Sequence, residues 1–161
     1  MPFHADDSSV LAGIRLPLGD EWNELDSCLI AAAKAFIDYL NESDLAKRAN
    51  DEIDRMRSKE PDRDVRGIDK FEAFLASHGA DSDAREVVSH LRLLQRLRSL
   101  SAAHRKSSDL DKLLDKCGLK GALPRIVCRE LVLEPLLALC QLLASFAEAH
   151  AGQELAKGSD L

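Results

Sequence analysis

Residues 20–40 read DEWNELDSCLIAAAKAFIDYL, and this stretch decides the class of fold. Its apolar side chains recur every three or four residues, which is the spacing of one face of an α-helix. Asp20 is the expected N-cap, and Glu21 and Glu24 lie in the first turn, where negative charge complements the helix dipole. The segment therefore predicts a long amphipathic helix. Its buried face would consist of Trp22, Leu25, Leu29, Ala32, Phe36 and Leu40.

The same periodicity predicts four or five further helices along the chain. The first of them is mostly charged, and the last is apolar nearly all round, so we expect the last helix to be central or to form a subunit interface. Alternating apolar and polar residues, the mark of a half-buried strand, do not extend over any useful length. The predicted helices lie at about residues 45–58, 67–77, 81–101, 110–116 and 124–150.

Glycine and proline mark the ends of these helices. Gly79 and Gly118 each follow an apolar helical pattern, and glycine accepts the left-handed conformation that often closes a helix. Pro124 suits the first turn of the last helix, because its missing N–H costs nothing there. Pro135 lies inside that helix and predicts a kink, and Gly152 is expected to end it.

These elements predict an all-α fold, a single-domain bundle of five to six helices with a long kinked C-terminal helix. Residues 1–19 contain Gly and Pro without periodicity and are expected to form an irregular lead-in. The bundle would then span residues 20–151, and residues 152–161 would form a flexible tail.

Composition limits the classes of function. The chain has 161 residues, of which 22 are basic and 28 acidic, so its net charge is −6. This balance argues against a protein that coats nucleic acid or an anionic membrane over its whole surface. Aromatic residues make up only 4%. A broad base-stacking platform of the RRM or OB type is therefore not expected.

The sequence also predicts a cytoplasmic protein with no membrane span. No apolar run reaches about 18 residues, and the N-terminus lacks the basic and apolar regions of a signal peptide. None of the four cysteines forms a Cys-x-x-Cys pair, and no histidine accompanies them at ligand spacing, so we expect neither a metal nor another cofactor. Cys28 and Cys140 fall within apolar helical patterns, where buried structural thiols are common.

Charge is unevenly distributed along the chain. Residues 81–129 contain 11 basic and six acidic side chains, a net charge of +5, and the remainder carries −11. Within residues 90–106 there is no acid at all. Such a segment can attract a phosphate without binding nucleic acid indiscriminately. Alternatively, Arg92 and Arg96 do not bind phosphate but lie on a solvated helix face or pair with acids of other helices.

Arg98 and His104 lie in this acid-free segment and could cleave a phosphodiester. Imidazole moves protons near neutral pH, and guanidinium holds the negative charge that builds on phosphorus. On an unbroken helix a spacing of six residues places two side chains about 120° apart. The two could converge if the helix ends near Ala103 or if a second copy completes the site. Otherwise His104 would be an exposed residue that caps the helix carbonyls.

The stretch Arg98-Ser-Leu-Ser-Ala-Ala-His104 resembles the Arg-x(4–6)-His motif of the HEPN superfamily, whose all-α domains are frequent in toxin and abortive-infection proteins. The resemblance implies a homodimer in which two motifs form one metal-independent endoribonuclease site. It implies that His104 acts in acid–base catalysis and that Arg98 positions or neutralises the scissile phosphate. Nearby polar side chains would bind RNA phosphates. They are Arg92, Arg96, Ser99, Arg105 and Lys106.

Ser99 departs from the family pattern, because many active members carry Asn, Asp or His directly after the arginine. The alternative function is therefore a noncatalytic α-helical module for protein interaction or dimerisation. An antitoxin or a fused partner domain is a further possible partner in either case.

Overall fold

The computed structural model of the chain describes Phe3 and residues 13–103 and 108–158. Side chains are described for Phe3 and residues 13–80, 85–101 and 108–148. Within these ranges the chain forms seven helices and no strand, which confirms the all-α prediction and the long C-terminal helix. They are α1 (Trp22–Ala33), α2 (Glu42–Arg48), α3 (Asn50–Lys59), α4 (Gly67–Ser77), α5 (Asp81–Ala103), α6 (Ser108–Lys116) and α7 (124–158).

Helix α1 buries the predicted face. Of the six core residues predicted within residues 20–40, all but the half-buried Trp22 are buried, and two of them, Phe36 and Leu40, lie beyond the end of α1. The helix is followed by a π-helical turn, Lys34–Asp38. The predicted N-cap is wrong: Glu21 occupies that position, and no side chain caps it. Instead the Glu24 carboxylate accepts hydrogen bonds from the N–H groups of Leu18 (2.8 Å) and Gly19 (2.9 Å), so an acid in the first turn organises the entry to the helix.

The charged segment after α1 forms two helices where the sequence predicts one. Ala49 separates them, because its backbone angles (φ −126°, ψ 27°) are not helical. The Asn41 side chain caps α2 by accepting the N–H of Asp44 at 3.1 Å. Each helix buries only one or two apolar residues, of which Leu45 and Ile53 are the largest. The break lets both short helices turn these residues toward the core.

Helix α4 ends where the sequence predicts. Gly79 has a φ of +80°. Its N–H donates to the Ala76 carbonyl, and the N–H of Ala80 donates to the Leu75 carbonyl. This pair of bonds is the Schellman motif, which satisfies carbonyls that the helix end would otherwise leave unpaired.

Helix α7 departs from regular geometry one turn earlier than predicted. It consists of Pro124–Cys128, a π-helical turn Arg129–Leu133, and Glu134–Gly158. Pro135 follows the π turn directly, and a proline cannot donate the usual helical hydrogen bond to the carbonyl four residues earlier. The prediction that Gly152 ends the helix is wrong, since α7 continues to Gly158. One glycine costs a helix only about 1 kcal/mol, and most of its neighbours here are good helix formers.

The buried side chains form one core to which each of the seven helices contributes at least one residue. Helix α5 packs against α1 and α4, and α1 also contacts the first segment of α7. Phe71 of α4 lies at the centre, completely buried and in contact with Phe3 and Phe74. This packing fixes α5, which carries most of the predicted site.

Candidate functional site

Arg98 lies on α5, five residues before the last described residue of that helix, Ala103. Its Nη1 donates to both carboxylate oxygens of Asp38, at 2.8 and 3.1 Å. Asp38 ends the π turn after α1, so the partner is contributed by another element 60 residues away. The Arg98 side chain is 27% exposed. Among the described residues no other acceptor contacts its guanidinium, so Nε and Nη2 remain available to a phosphate.

Asp38 is a functional candidate that the sequence reasoning missed. The carboxylate holds the Arg98 guanidinium through two charge-assisted hydrogen bonds, both from Nη1. The one available sign was an acid among the apolar residues Phe36, Ile37 and Leu40 at the end of α1. That sign does not indicate which arginine Asp38 contacts.

Asp26, an acid on α1 itself, also contacts α5. Ser101, which is buried, donates a hydrogen bond to the carboxylate of Asp26. Asp26 therefore contacts α5 through Ser101, which follows Leu100 in sequence. Asp38 contacts α5 through Arg98, which precedes Leu100. Together they fix the position and rotation of the last turns of α5, directly before His104.

Arg92 forms ion pairs with two acids of a neighbouring helix. One of its terminal nitrogens, Nη2, donates to Asp69 at 2.7 Å and to Glu72 at 2.8 Å, both on α4. Asp69 also accepts from Arg63 and from the backbone N–H of Arg66. The alternative of pairing with acids of another helix is thus what the structure has for Arg92, and phosphate binding by its other nitrogens stays a prediction.

Asp69 is the centre of this network and is only 13% exposed. Burial alone would raise the pKa of its carboxyl. Hydrogen bonds from Arg92, the Arg66 backbone and Arg63 outweigh that effect and hold the pKa below its ordinary value.

Replacing Asp69 by alanine is expected to lower the free energy of unfolding by about 1–3 kcal/mol, because it removes one acceptor from each of two guanidinium groups and the acceptor of the Arg66 backbone N–H. The contribution is fully present above the ordinary aspartate pKa of about 3.9 and is lost as the pH falls through the lower pKa of the folded state. Urea unfolding at pH 7 and at successively lower pH measures both effects.

Asp64→Ala is the matched control for this change. Asp64 pairs only with Arg66, and both side chains are at least 74% exposed. Its loss should change the free energy of unfolding by less than about 0.5 kcal/mol. Equal destabilisation by both variants would show that the Asp69 network contributes nothing beyond a surface ion pair.

Arg96 and Ser99 differ in how many of their hydrogen-bonding groups are available to a ligand. Arg96 is exposed, and no described side chain pairs with it. The Ser99 hydroxyl donates to the Gln95 carbonyl one turn earlier, at 2.9 Å, which leaves the oxygen able to accept but no longer to donate. Of these two, Arg96 is the better candidate for a phosphate.

The structure does not bring all the predicted residues together. Arg92 is held by α4, whereas Arg98 is held by the π turn after α1, and the two lie about 120° apart around α5. His104, Arg105 and Lys106 lie outside the described residues. Of the predicted catalytic pair, the structure thus describes Arg98 and not His104.

A groove between α5 and α7 is a further concave feature. Its volume is about 330 Å³, and Glu86, His90, Gln141 and Ser145 contribute the polar part of its lining. The Nδ1 atom of His90 is buried and has no hydrogen-bond partner among the described groups. The sequence did not indicate this groove, because it arises where α7 contacts α5.

No group of three or more His, Cys, Asp or Glu side chains in the described ranges is placed to hold a metal ion. None of the described helices combines the length and apolar character that a membrane span requires.

Comparisons of the chain with protein-family models, with curated proteins and with solved structures found no match.

Proposed function

We propose that this chain is a HEPN-like, metal-independent endoribonuclease that acts in the cytoplasm as a homodimer, with Arg98 and His104 at its site. The observation that carries the proposal is the Arg98 guanidinium. It is fixed by Asp38, still partly exposed, and located on the last turns of the helix that leads to His104. The same proposal includes a role as a toxin or in anti-phage defence. It also includes an antitoxin or a fused domain as the partner.

The chemistry needs only these two side chains and the RNA itself. The His104 imidazole accepts the proton of a ribose 2′-hydroxyl as that oxygen attacks the neighbouring phosphorus. Arg98 donates through Nε and Nη2 to the phosphate oxygens and neutralises the charge that develops on them. The bond from phosphorus to the 5′-oxygen breaks, and a histidine of the dimeric site protonates the leaving oxygen. Asp38 is a positioning residue for Arg98.

The distribution of charge suits a local RNA site. Arg96 is exposed and unpaired among the described residues, and it lies two positions from Arg98 on the same helix. Arg105 and Lys106 would add positive charge next to His104. The strongly acidic remainder of the chain repels RNA elsewhere, so binding is confined to this end of α5.

The proposal is tested by incubating purified protein with single-stranded RNA, beside Arg98→Ala and His104→Ala. Arg57→Ala is the matched control, because Arg57 is an exposed arginine on α3 with only a weak partner at 3.4 Å. The wild type and the control should cleave, and the two site variants should not. Equal activity in all four proteins, or activity in none, contradicts the proposal.

A second candidate function is a noncatalytic module for protein interaction or dimerisation. The observation that favours it is the exposed apolar part of α7, where Leu137 is 60% exposed and Cys140 is also exposed. Arg92 and Arg98 would then serve only in the ion pairs with Asp69 and Asp38.

Under this second function, Leu137→Glu is expected to weaken assembly at least tenfold, because a charge replaces an apolar side chain at the contact. Light scattering over a range of concentrations measures the change. Leu18→Glu is the control, since Leu18 is 92% exposed and lies outside the helices. Assembly that is lost on His104→Ala, or a monomeric wild type, argues against a purely structural module.

A further inference from the structure

Two cysteines that are 100 residues apart in sequence meet in the core. Cys28 lies on α1, and Cys128 ends the first segment of α7. Their Sγ atoms are 3.4 Å apart, and each residue is only 1% exposed. The sequence predicts a structural role for Cys28 and does not pair it with Cys128, because the two are far apart along the chain.

The two thiols are not equivalent. A hydrogen bond joins the two sulfurs, and this contact with Cys128 lowers the pKa of Cys28 against the opposing effect of burial. The same contact and burial raise the pKa of Cys128. Cys28 is therefore the member of the pair that ionises first, and the thiolate is the nucleophilic form of cysteine.

Oxidation of this pair needs little movement. The two sulfurs are 3.4 Å apart and a disulfide has a bond length of about 2.05 Å, so each sulfur must shift by less than about 1 Å. The bond would join α1 to α7 directly, and these helices already pack against each other. Helix α1 leads into the π turn with Asp38, so the cross-link would also stabilise the element that holds Arg98.

We propose that Cys28 and Cys128 form a reversible disulfide when the protein meets a peroxide. The Cys28 thiolate attacks one peroxide oxygen, the O–O bond breaks, and the released hydroxide takes up a proton to become water. Cys28 is left as a sulfenic acid. The Cys128 sulfur then attacks the Cys28 sulfur, the S–O bond breaks, and the hydroxide leaves with the Cys128 proton as a second water. A dithiol reductant restores both thiols.

The other two cysteines provide a matched control. Cys117 is partly exposed and Cys140 is exposed, and neither is within bonding distance of another described sulfur. Burial slows the attack of an oxidant, so Cys140 should react with peroxide sooner than the core pair, and only the core pair should form an intramolecular cross-link. The inference does not depend on ribonuclease activity.

The test uses the double variant C117S/C140S, which leaves the core unchanged. Hydrogen peroxide is added to the reduced, folded protein and removed with catalase, and the protein is then unfolded in denaturant with a thiol reagent. We expect both remaining thiols to be lost, non-reducing peptide mapping to join Cys28 to Cys128, and dithiothreitol to restore both thiols. Two thiols still reactive after peroxide, or thiols lost without a cross-linked peptide, overturn the proposal.

Thermal unfolding gives a second measurement. The cross-link closes a loop of 100 residues, and the oxidised C117S/C140S protein should unfold about 10 °C higher than its reduced form. The variant C28A/C128A should show no such shift on oxidation. A similar shift in C28A/C128A would assign the effect to the other cysteines and overturn the proposal. If C28A/C128A does not fold, the thiol count and the peptide map of C117S/C140S still decide.

Discussion

Replacing His104 by alanine is expected to lower the rate of RNA cleavage by about 10²–10⁴-fold, which is the usual contribution of a general acid or base. Under the proposed mechanism the His104 imidazole takes up the proton of the attacking hydroxyl. The two acids that contact this end of α5, Asp38 and Asp26, are already hydrogen-bonded to Arg98 and Ser101. The measurement is the initial rate of cleavage of a labelled RNA at saturating substrate.

Variants of Arg98 and Asp38 separate catalysis from positioning. Arg98→Ala should lower the rate by about 10²–10³-fold, the typical effect of removing one donor to a developing charge. Arg98→Lys should recover part of the loss, because lysine supplies a charge without the two-pronged geometry. Asp38→Asn should lower the rate less than Arg98→Ala does. A larger loss for Asp38→Asn than for Arg98→Ala would contradict the assignment of Asp38 as a positioning residue.

Each variant of His104, Arg98 and Asp38 must be shown to be folded before the cleavage rates are compared. Asp38→Asn removes an ion pair whose members are 27% and 48% exposed, so it should cost at most about 1 kcal/mol. Circular dichroism and urea unfolding of each variant check this. Full activity of His104→Ala in a folded protein would exclude the proposed mechanism.

Truncating Phe71 to alanine is expected to lower the free energy of unfolding by about 3–5 kcal/mol. Phe71 is completely buried on α4, and its ring lies 5.8 Å from that of Phe3 and 6.4 Å from that of Phe74. Removal of the ring leaves a cavity between α4 and its neighbours, and the lost aromatic contacts add to the cost. Because a domain has only about 5–15 kcal/mol in total, this change brings the protein close to unfolding.

Two further variants make the Phe71 result interpretable. Phe71→Leu retains most of the apolar volume and should cost clearly less than Phe71→Ala. Leu18→Ala removes an apolar side chain that is 92% exposed and should cost less than about 0.5 kcal/mol. Chemical unfolding with urea measures all three. A loss below about 1 kcal/mol for Phe71→Ala would mean that the aromatic contacts around it are not part of a tightly packed core.

Local features of the fold were predictable from the sequence. The apolar spacing of residues 20–40 places Leu25, Leu29 and Ala32 on one face, and all three are buried. Gly79 follows the last apolar position of α4 and closes that helix in the left-handed conformation. Both features depend on residues within a few positions of one another, and helix geometry relates such residues directly.

The candidate site was predictable only in part. The acid-free segment around Arg98 is visible in the sequence, but the partners of its arginines are not. The same helix carries Arg92, which is tied to α4, and Arg96, which is exposed and pairs with no described side chain. The outcome depends on which acid of a neighbouring helix lies opposite each arginine. That pairing follows from the rotation and offset of packed helices, which residue order does not specify.

The sequence by itself determined that the chain is helical, where α4 begins and ends, and which face of α1 is buried. Hydrophobic periodicity and helix-ending glycines act over three to five residues, so they can be read along the chain. Only the tertiary structure decided that Asp38 holds Arg98 and that Cys28 meets Cys128. Each of these contacts joins residues at least 60 positions apart, and the packing of α5 and α7 against α1 brings them together.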